Sequence, residues 1–360
     1  MSEIRPMLEE MVNKVLKDNC TKELINAAEK GTFPADLWDT LSELGVTAVG
    51  IDEDKGGSGG DLGDLMALLK IAGYFAAPIP LAEHTLANWM RSKAGLTAKS
   101  ELSTFAPVSR EDQIIFDPTD EGWSVSGKAS FVPWGKDVQF ITVLGKTNEG
   151  QYITASIPSD QCIINSNQNL AGEPRDEVVI NQVAVSKQEA GLVDDQSADN
   201  LFSYAMMSRV MQMAGSLERA LELSVTYTKE RTQFGRPISK FQAIQQQLAI
   251  MAGETTASLA VADFIISNID RNISFEETAM AKIQLGDAAG IATRIAHQVH
   301  AAIGFTDEHV LHHSTRRLWS WRDEFGTESV LAEAVGQRIL SDAENLWDFI
   351  TKPPAKVTVE

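Results

Sequence analysis

Apolar side chains recur three and four positions apart along the first hundred residues, which is the spacing of a helix buried on one face. Residues 7–15 show this spacing first. Pro34 predicts the start of a second helix and Gly45 its end, because proline suits the first helical turn and glycine the residue after the last. A third helix is predicted after the glycine-rich loop 56–60. The pattern therefore predicts an N-terminal helical domain over residues 1–100.

Near residue 101 the pattern changes to short runs of β-branched and aromatic residues, separated by glycine, proline, asparagine and aspartate. Such runs are typical of strands in a small β domain. They lie at residues 113–116, 123–125, 130–132, 138–144, 152–157 and 177–185. We therefore expect a central barrel or sandwich of about six to eight strands over residues 101–196.

Helical spacing returns in the last part of the chain and is sustained over long segments. Four helices are predicted, at residues 200–231, 240–268, 275–302 and 328–350. Ser274 and Glu277 form a capping-box pattern at the start of the third, since each side chain can bond the other's backbone amide. Long helices with short connections favour a four-helix bundle over residues 197–352. The predicted fold class is mainly α with a central β domain.

The charge balance argues against two classes of partner. Of 360 residues, 31 are Lys or Arg and 50 are Asp or Glu, which gives a formal net charge of −19. A surface of this sign repels phosphate backbones and anionic lipids, so we expect neither a nucleic-acid partner nor a membrane partner. We also find no uninterrupted apolar run of the roughly 18 residues that a membrane-spanning helix needs.

The N-terminus carries no signal-peptide pattern, and Cys20 and Cys162 suggest neither a disulfide framework nor a metal-binding knuckle. Both features favour a reducing, cytoplasmic location. Histidines cluster at His297 and His300 and again in residues 309–313, and such spacing can place two imidazoles on one helix face. Because no acidic or cysteine ligand falls in register with them, no metal site is predicted.

The most distinctive segment spans residues 227–245, with the sequence YTKERTQFGRPISKFQAIQ. It predicts a long helix that ends at a glycine turn, with Arg231 beside that turn. Two interpretations of Arg231 are open. It either forms an ion pair at a capped helix end, or it provides a forked cation that can bind a diphosphate through two hydrogen bonds.

This segment resembles the acyl-CoA dehydrogenase family, whose members carry an Arg-x-x-Phe-Gly turn followed by a Phe-Gln helix. Three further segments resemble the family in the same order along the chain: residues 44–59, 121–128 (EGWSVSGK) and 298–306 (QVHAAIGFT). The resemblance spans nearly the whole chain. It implies an N-terminal helical domain, a β domain and a C-terminal four-helix bundle.

The resemblance also implies that FAD binds across a contact between two subunits. Six residues match family positions near this cofactor, namely Arg231, Phe234, Phe241, Gln298, Ala302 and Thr327. In the family the first three border the adenosine diphosphate half of FAD. The next two reach the diphosphate from the neighbouring subunit, and the last follows a catalytic Glu-Gly.

The family's reaction sets the expected substrate and partners. A buried carboxylate removes the α-proton of an acyl-CoA thioester while a hydride leaves the β-carbon for the flavin. Electrons usually pass on to an electron-transferring flavoprotein. We therefore expect an acyl-CoA substrate, that electron acceptor, and assembly into a homo-oligomer or an α2β2 heterotetramer.

The sequence departs from the family where the catalytic base is expected. Phe325 stands in place of the late Glu, and segment 203–209, the other place for a base, contains no acid. Glu324 is the first local candidate for the base and Asp323 the second, although one residue of shift turns a helical side chain by about 100°. The alternative for Glu324 is a solvated carboxylate near Arg322.

Two further departures lie close to the expected flavin position. Pro133 offers no hydrogen-bond donor where the family often has Thr, and residues 104–110 lack the family's Thr-Glu-Pro loop. The α2β2 arrangement in which one subunit type lacks the base explains this pattern, and bacterial dehydrogenases of steroid side-chain CoA thioesters resemble it. The chain is therefore either a FAD-dependent acyl-CoA dehydrogenase or one subunit of it, or a non-catalytic chain that completes a partner's FAD site. An oxidase is a lesser variant of the first hypothesis.

Overall fold

The structure is a computed structural model that describes residues 2–109, 112–271 and 273–342 together with Trp347. Its N-terminal part consists of helices α1 (Arg5–Asn19), α2 (Lys22–Ala28), α3 (Ala35–Glu43), α4 (Leu62–Tyr74) and α5 (Leu81–Lys93). Gly45 ends the α3 segment with a φ of 74°, as the sequence predicts. The apolar faces of these helices join the main core of the molecule.

Three charged side chains fix the start of α4. Asp61 Oδ1 accepts a hydrogen bond from the Asp64 amide at 2.7 Å, and Asp64 Oδ2 accepts one from the Asp61 amide at 3.0 Å. Arg5 of α1 donates to both carboxylates, at 2.7 Å to Asp64 and 3.0 Å to Asp61. The cap of α4 therefore also anchors α1 against it.

Within the described residues, eight strands form one mixed sheet in the middle of the chain, in agreement with the predicted number. They are β1 (Ser103–Ala106), β2 (Gln113–Pro118), β3 (Gly122–Pro133), β4 (Phe140–Thr147), β5 (Tyr152–Pro158), β6 (Ile163–Asn165), β7 (Arg175–Ser186) and β8 (Ala190–Val193). Their order is β6–β7–β3–β2–β4–β5–β8, and β1 lies parallel to β4 beside this path.

The C-terminal part is helical again. It consists of α6 (Asp195–Glu230), the short strands β9 (Thr232–Gln233) and β10 (Arg236–Pro237), and helices α7 (Gln242–Asn268), α8 (Phe275–His300), α9 (Leu311–Asp323) and α10 (Glu328–Asp342). The predicted capping box is confirmed: Ser274 Oγ accepts from the Glu277 amide at 3.1 Å, and Glu277 Oε2 accepts from the Ser274 amide at 2.9 Å.

Helix α9 is present in addition to the four helices predicted in this part of the chain. Its buried face is largely polar and includes His312, His313, Thr315 and Arg317. Apolar periodicity therefore does not reveal it, because polar side chains occupy positions that usually carry leucine or valine. The predicted end of the last helix at residue 350 lies outside the described residues.

Helices α4 and α6 approach each other closely because each contributes a glycine. A Cβ atom on Gly73 would lie 2.1 Å from the carbonyl oxygen of Gln212. A Cβ atom on Gly215 would lie 1.9 Å from the carbonyl oxygen of Lys70. Any side chain at either position would push the two backbones apart, so these glycines set the distance between the N-terminal helices and the bundle.

Helix α7 is long and apolar but only partly covered. Its most apolar stretch has a mean hydropathy of 1.4, and 33% of that stretch is buried. By length and composition alone α7 could cross a membrane, although it packs against α6 and α8 as a helix of the bundle. Ile250 and Phe264 of α7 are 54% and 48% exposed.

Candidate functional site

A cavity of about 1960 Å³ lies between the sheet and the C-terminal helices. Aromatic rings form much of its wall: Phe131 at the end of β3, Phe202 on α6, Phe275 on α8, Trp319 on α9 and Phe325 after α9. Cavities that hold one small ligand usually measure about 300–1,000 Å³. This cavity therefore has room for two ligands, or for one large one.

Two of these aromatic residues have an unusual backbone conformation. Phe131 and Phe325 each have a φ of 58°, in the left-handed region that bulky side chains rarely adopt. Such strain is typical of functional sites, where the surrounding structure holds a residue in an unfavourable conformation. Phe131 is 62% exposed, and Pro133, two residues later, can donate no hydrogen bond into this region.

Glu324 lies in the wall of the same cavity, and two arginines hold its carboxylate. Its Oε1 accepts from Arg175 Nε at 2.8 Å and from Asn169 Nδ2 at 3.3 Å. Its Oε2 accepts from Arg209 Nε at 2.6 Å. Both oxygens are therefore occupied by donors.

The charge state of Glu324 follows from these partners. Burial alone would raise the pKa of its carboxyl, but the Arg175 and Arg209 guanidiniums outweigh burial and lower the pKa to about 2. A general base needs a pKa near the operating pH and a free oxygen directed at the proton. The surroundings of Glu324 supply neither, so they do not support the prediction that it is the base.

The solvated carboxylate considered as the alternative does not describe Glu324 either. Arg322, its expected neighbour, pairs instead with Glu328 at 2.7 Å. Asp323, the second candidate for the base, is exposed in the cavity wall. Thr327 is half-buried, and its hydroxyl forms a 3.2 Å hydrogen bond with Ser329.

Arg231 lies in an exposed corner at the end of α6. Its guanidinium has no ion-pair partner among the residues that the structure describes, so the ion-pair interpretation gains no support. Phe234, in the turn between β9 and β10, has a φ of 51° and is 91% exposed. Phe234 meets Phe241 edge to face at 6.1 Å between ring centroids, and the Arg236 guanidinium lies 4.3 Å from the Phe241 centroid. Two guanidiniums and two rings thus share one open surface.

The end of α8 reaches the same end of the bundle. Tyr227, one turn before Arg231, stacks on His300 with 4.4 Å between ring centroids. Gln298 and Ala302, on either side of His300, are both exposed. Ala301 between them has a φ of 53°, which is strained for a residue with a Cβ. Five of the seven predicted site residues therefore lie at this end, whereas Glu324 lines the cavity and Thr327 follows Gly326 of the cavity wall.

Comparison with known proteins identifies the family. The family model for the C-terminal domain of acyl-CoA dehydrogenases matches residues 196–340, and the model for the N-terminal domain matches residues 2–98. This chain belongs to the acyl-CoA dehydrogenase family. The N-terminal helical part, the central sheet and the C-terminal helices are the fold of that family, as predicted.

Two relatives are similar over most of their length. Acyl-CoA dehydrogenase IpdE2 of Mycolicibacterium smegmatis is 27% identical over 312 residues, covering 86% of this chain and 90% of the relative. Acryloyl-CoA reductase (NADH) of Anaerotignum propionicum is 27% identical over 346 residues, covering 84% and 87%. A chain in the crystal structure of the ChsE4-ChsE5 complex from Mycobacterium tuberculosis has a TM-score of 0.84 at 20% identity, covering 95% of this chain and 99% of that one.

Two residues of this acyl-CoA dehydrogenase homologue were missed by the sequence reasoning. Arg175 and Arg209 are both nearly inaccessible, and both bind Glu324. A signal for Arg209 was present, since it interrupts the apolar stretch 205–214 of a helix, and a charge there needs an acidic partner. Nothing comparable marks Arg175, which begins a strand.

The histidine cluster of this family member gains one acidic neighbour that the sequence could not place. Glu29, which follows α2, brings its carboxylate within 4.8 Å of ligand atoms of His312 and His313. Arg316 and Arg317 already donate to both oxygens of Glu29, and their positive charges oppose a bound cation. The cluster therefore acts as an ion-pair site between α2 and α9.

Proposed function

We propose that this chain is a FAD-dependent acyl-CoA dehydrogenase-type flavoprotein that works as one subunit of a heteromeric enzyme. The observation that carries the proposal is the occupation of the base position. The Phe325 ring stands in the cavity wall, and the neighbouring Glu324 is held by Arg175 and Arg209. Removal of the α-proton would then fall to a carboxylate of the partner chain.

The exposed corner at the end of α6 fits the adenosine diphosphate half of FAD. Arg231 is free to form charge-assisted hydrogen bonds with a diphosphate, and Phe234 and Phe241 offer ring faces to an adenine. Gln298 and Ala302 would approach the diphosphate held by the neighbouring subunit, as the family resemblance implies. FAD, when bound, supplies the acceptor for the hydride that leaves the β-carbon.

The cavity supports an acyl-CoA substrate. Its aromatic walls suit an apolar acyl group, and its volume leaves room for a flavin ring beside that group. Arg271 in the same wall brings positive charge that suits the phosphates of CoA, whereas Arg338 is paired with Glu276. An electron-transferring flavoprotein is the proposed acceptor of the electrons.

The partly exposed apolar face of α7 supports assembly with a second chain. Ile250 and Phe264 are the large side chains that such a contact would cover. We propose a contact between this helix and another subunit, in a homo-oligomer or an α2β2 heterotetramer. The second hypothesis, a non-catalytic chain that only completes a partner's FAD site, is favoured by Pro133, which cannot donate to a flavin.

Flavin content and bleaching test the proposal. The chain is purified alone and together with a dehydrogenase-like chain that retains the late Glu, and each sample receives an acyl-CoA under anaerobic conditions. We expect flavin bleaching only when both chains are present. Bleaching by this chain alone, at a rate typical of enzymes, would place the base within it and refute the proposed division of labour. A complex in which only the partner binds FAD would support the alternative hypothesis that this chain is non-catalytic.

A further inference from the structure

A row of buried charges lies beside the cavity, and neither FAD binding nor thioester binding requires it. In order, its members are Glu83, Arg209, Glu324, Arg175, Glu173, Arg317 and Glu29. The successive ion pairs measure 2.7, 2.6, 2.8, 3.0, 3.3 and 2.8 Å. The row runs from α5 through α6, the end of α9 and the start of β7 to the end of α2. It therefore joins the N-terminal helices, the sheet and the C-terminal helices.

Glu324 occupies the centre of this row and is the residue immediately before Phe325. Its carboxylate links Arg209 of α6 to Arg175 of β7. The remaining donors of Arg209 are also bound: Nη1 donates to Gln212 at 2.7 Å and Nη2 to Glu83 at 2.7 Å. Arg209 is therefore fixed in one orientation.

The Phe325 ring rests on the same arginine. The Arg209 guanidinium lies 5.6 Å from the ring centroid, and Phe105 stacks at 6.5 Å with an interplanar angle of 21°. Beyond the ring, Lys282 donates to the carbonyl oxygens of Arg322 at 2.6 Å and Gly326 at 3.3 Å. Both the side-chain and the backbone contacts therefore hold this ring in its strained conformation against the cavity.

We propose that Glu324 is a positioning residue: anchored by Arg175, it fixes Arg209 and so holds the Phe325 ring, which lies against Arg209, in the cavity wall, where the ring determines which acyl groups fit. That the ligands are acyl groups rests on the proposed function, whereas the positioning of the ring does not. A shift of Arg209 would remove the surface on which the ring lies, and the backbone strain at Phe325 would then favour another ring orientation.

The first test reads the ring directly and needs no ligand. The full chain is labelled with 4-fluorophenylalanine, and its fluorine NMR signals are recorded; Phe325→Leu and Phe202→Leu assign two of the 14 phenylalanines. We expect Glu324→Gln to shift or broaden the Phe325 signal while the Phe202 signal stays in place. Asp323→Asn, a neighbouring exposed carboxylate, is the matched control and should leave both signals unchanged.

The outcomes of this measurement are distinct. A merely structural role would broaden signals throughout the chain, and an unmoved Phe325 signal would overturn the proposal outright. If Glu324→Gln does not fold, Glu324→Asp takes its place. It keeps the charge but is one methylene shorter, so it cannot reach both arginines, and the same shift is expected.

The second test measures the consequence for binding. Calorimetry measures how tightly the complex of this chain with its partner chain binds two unreactive thioethers. These are S-butyl-CoA and S-(3-cyclohexylpropyl)-CoA. Phe325→Leu is expected to change the ratio of the two dissociation constants by about tenfold, the size of effect that a reshaped apolar pocket gives. Glu324→Gln should change the ratio in the same direction, and the double variant should match Phe325→Leu alone.

Additive effects of the two substitutions would show that Glu324 does not act through the ring, which would overturn the inference. Failure of the wild-type complex to bind either probe would instead refute the proposed function. The fluorine signal separates the two cases, because it reports the ring position whether or not a thioether binds.

Discussion

Replacing Glu324 by glutamine should destabilise the chain by about 3 kcal/mol at neutral pH. The carboxyl has an ordinary pKa of 4.5 and a folded-state pKa of about 2, a difference that corresponds to about 3 kcal/mol of stabilisation. Breaking one partner of a buried ion pair costs about 3–5 kcal/mol in general, which agrees with this value. Glutamine keeps the size of the side chain, so the loss comes from two buried guanidiniums that each lose one of their two carboxylate partners; Arg209 keeps Glu83 and Arg175 keeps Glu173.

The loss of stability in Glu324→Gln should depend on pH in a direction that identifies its cause. The folded-state pKa of Glu324 lies below its unfolded value, so its stabilisation is complete above pH 4.5 and disappears as the pH falls towards 2. Glutamine does not titrate. The difference between the wild type and Glu324→Gln should therefore shrink from about 3 kcal/mol at pH 7 to about 2 kcal/mol at pH 3.5.

Urea unfolding followed by tryptophan fluorescence measures both quantities. Trp321 is a suitable reporter, since its Nε1 donates to Glu173 of the same charged row at 2.9 Å. Asp323→Asn serves as the control and should change the free energy of unfolding by less than about 0.5 kcal/mol, as is usual for an exposed side chain. A loss below about 1 kcal/mol for Glu324→Gln, or a loss of equal size at every pH, would refute the ion-pair reasoning.

Three further predictions concern the cofactor, the helix packing and the assembly. Arg231→Ala should weaken FAD retention by about 1.5–3 kcal/mol, the range for a charged hydrogen bond. The control Lys187→Ala in the β domain should leave FAD retention unchanged. Equal flavin content in the two purified variants would show that Arg231 has no part in FAD binding. Gly73→Ala should lower the melting temperature, because its Cβ would meet the Gln212 carbonyl oxygen at 2.1 Å. The control Gly253→Ala on α7, whose Cβ would have nothing within 4 Å, should be neutral or stabilising by up to about 1 kcal/mol. A larger loss of stability in Gly253→Ala than in Gly73→Ala would contradict the close packing of α4 and α6. Sedimentation of the chain at micromolar concentration should show an oligomer, and a monomer would contradict the contact proposed for α7.

The sequence predicted the long elements well because their apolar spacing is regular. The capping box at Ser274 and the glycine end of α3 at Gly45 were predicted by local rules and are present. Helix α9 was not predicted, because its buried face carries histidines and Arg317 in place of apolar residues, and His313 and Arg317 bind the carboxylate of Glu29, which is far away in sequence. The pairing of Arg317 with Glu29 and Glu173 depends on the folded chain and leaves no local pattern.

The site was predicted unevenly for the same reason. The motif around Arg231 placed it and Phe234 together at the end of a helix, and they do share an open corner. The surroundings of Glu324 could not be derived, since Arg175 precedes it by 149 residues and Arg209 by 115. The sequence shows only that Glu324 directly precedes Phe325, and this position does not indicate which charges surround the Glu324 carboxylate.

The row of buried charges also restricts how this chain can change during evolution. Four carboxylates alternate with three guanidiniums, so losing any one member removes an ion-pair partner from at least one neighbouring buried charge. A single substitution in the row is therefore costly, even where a pair of apolar side chains would serve equally well. We expect these seven positions in descendants of this chain to be kept together or replaced in pairs, with compensating changes in helices and strands that are far apart in the sequence.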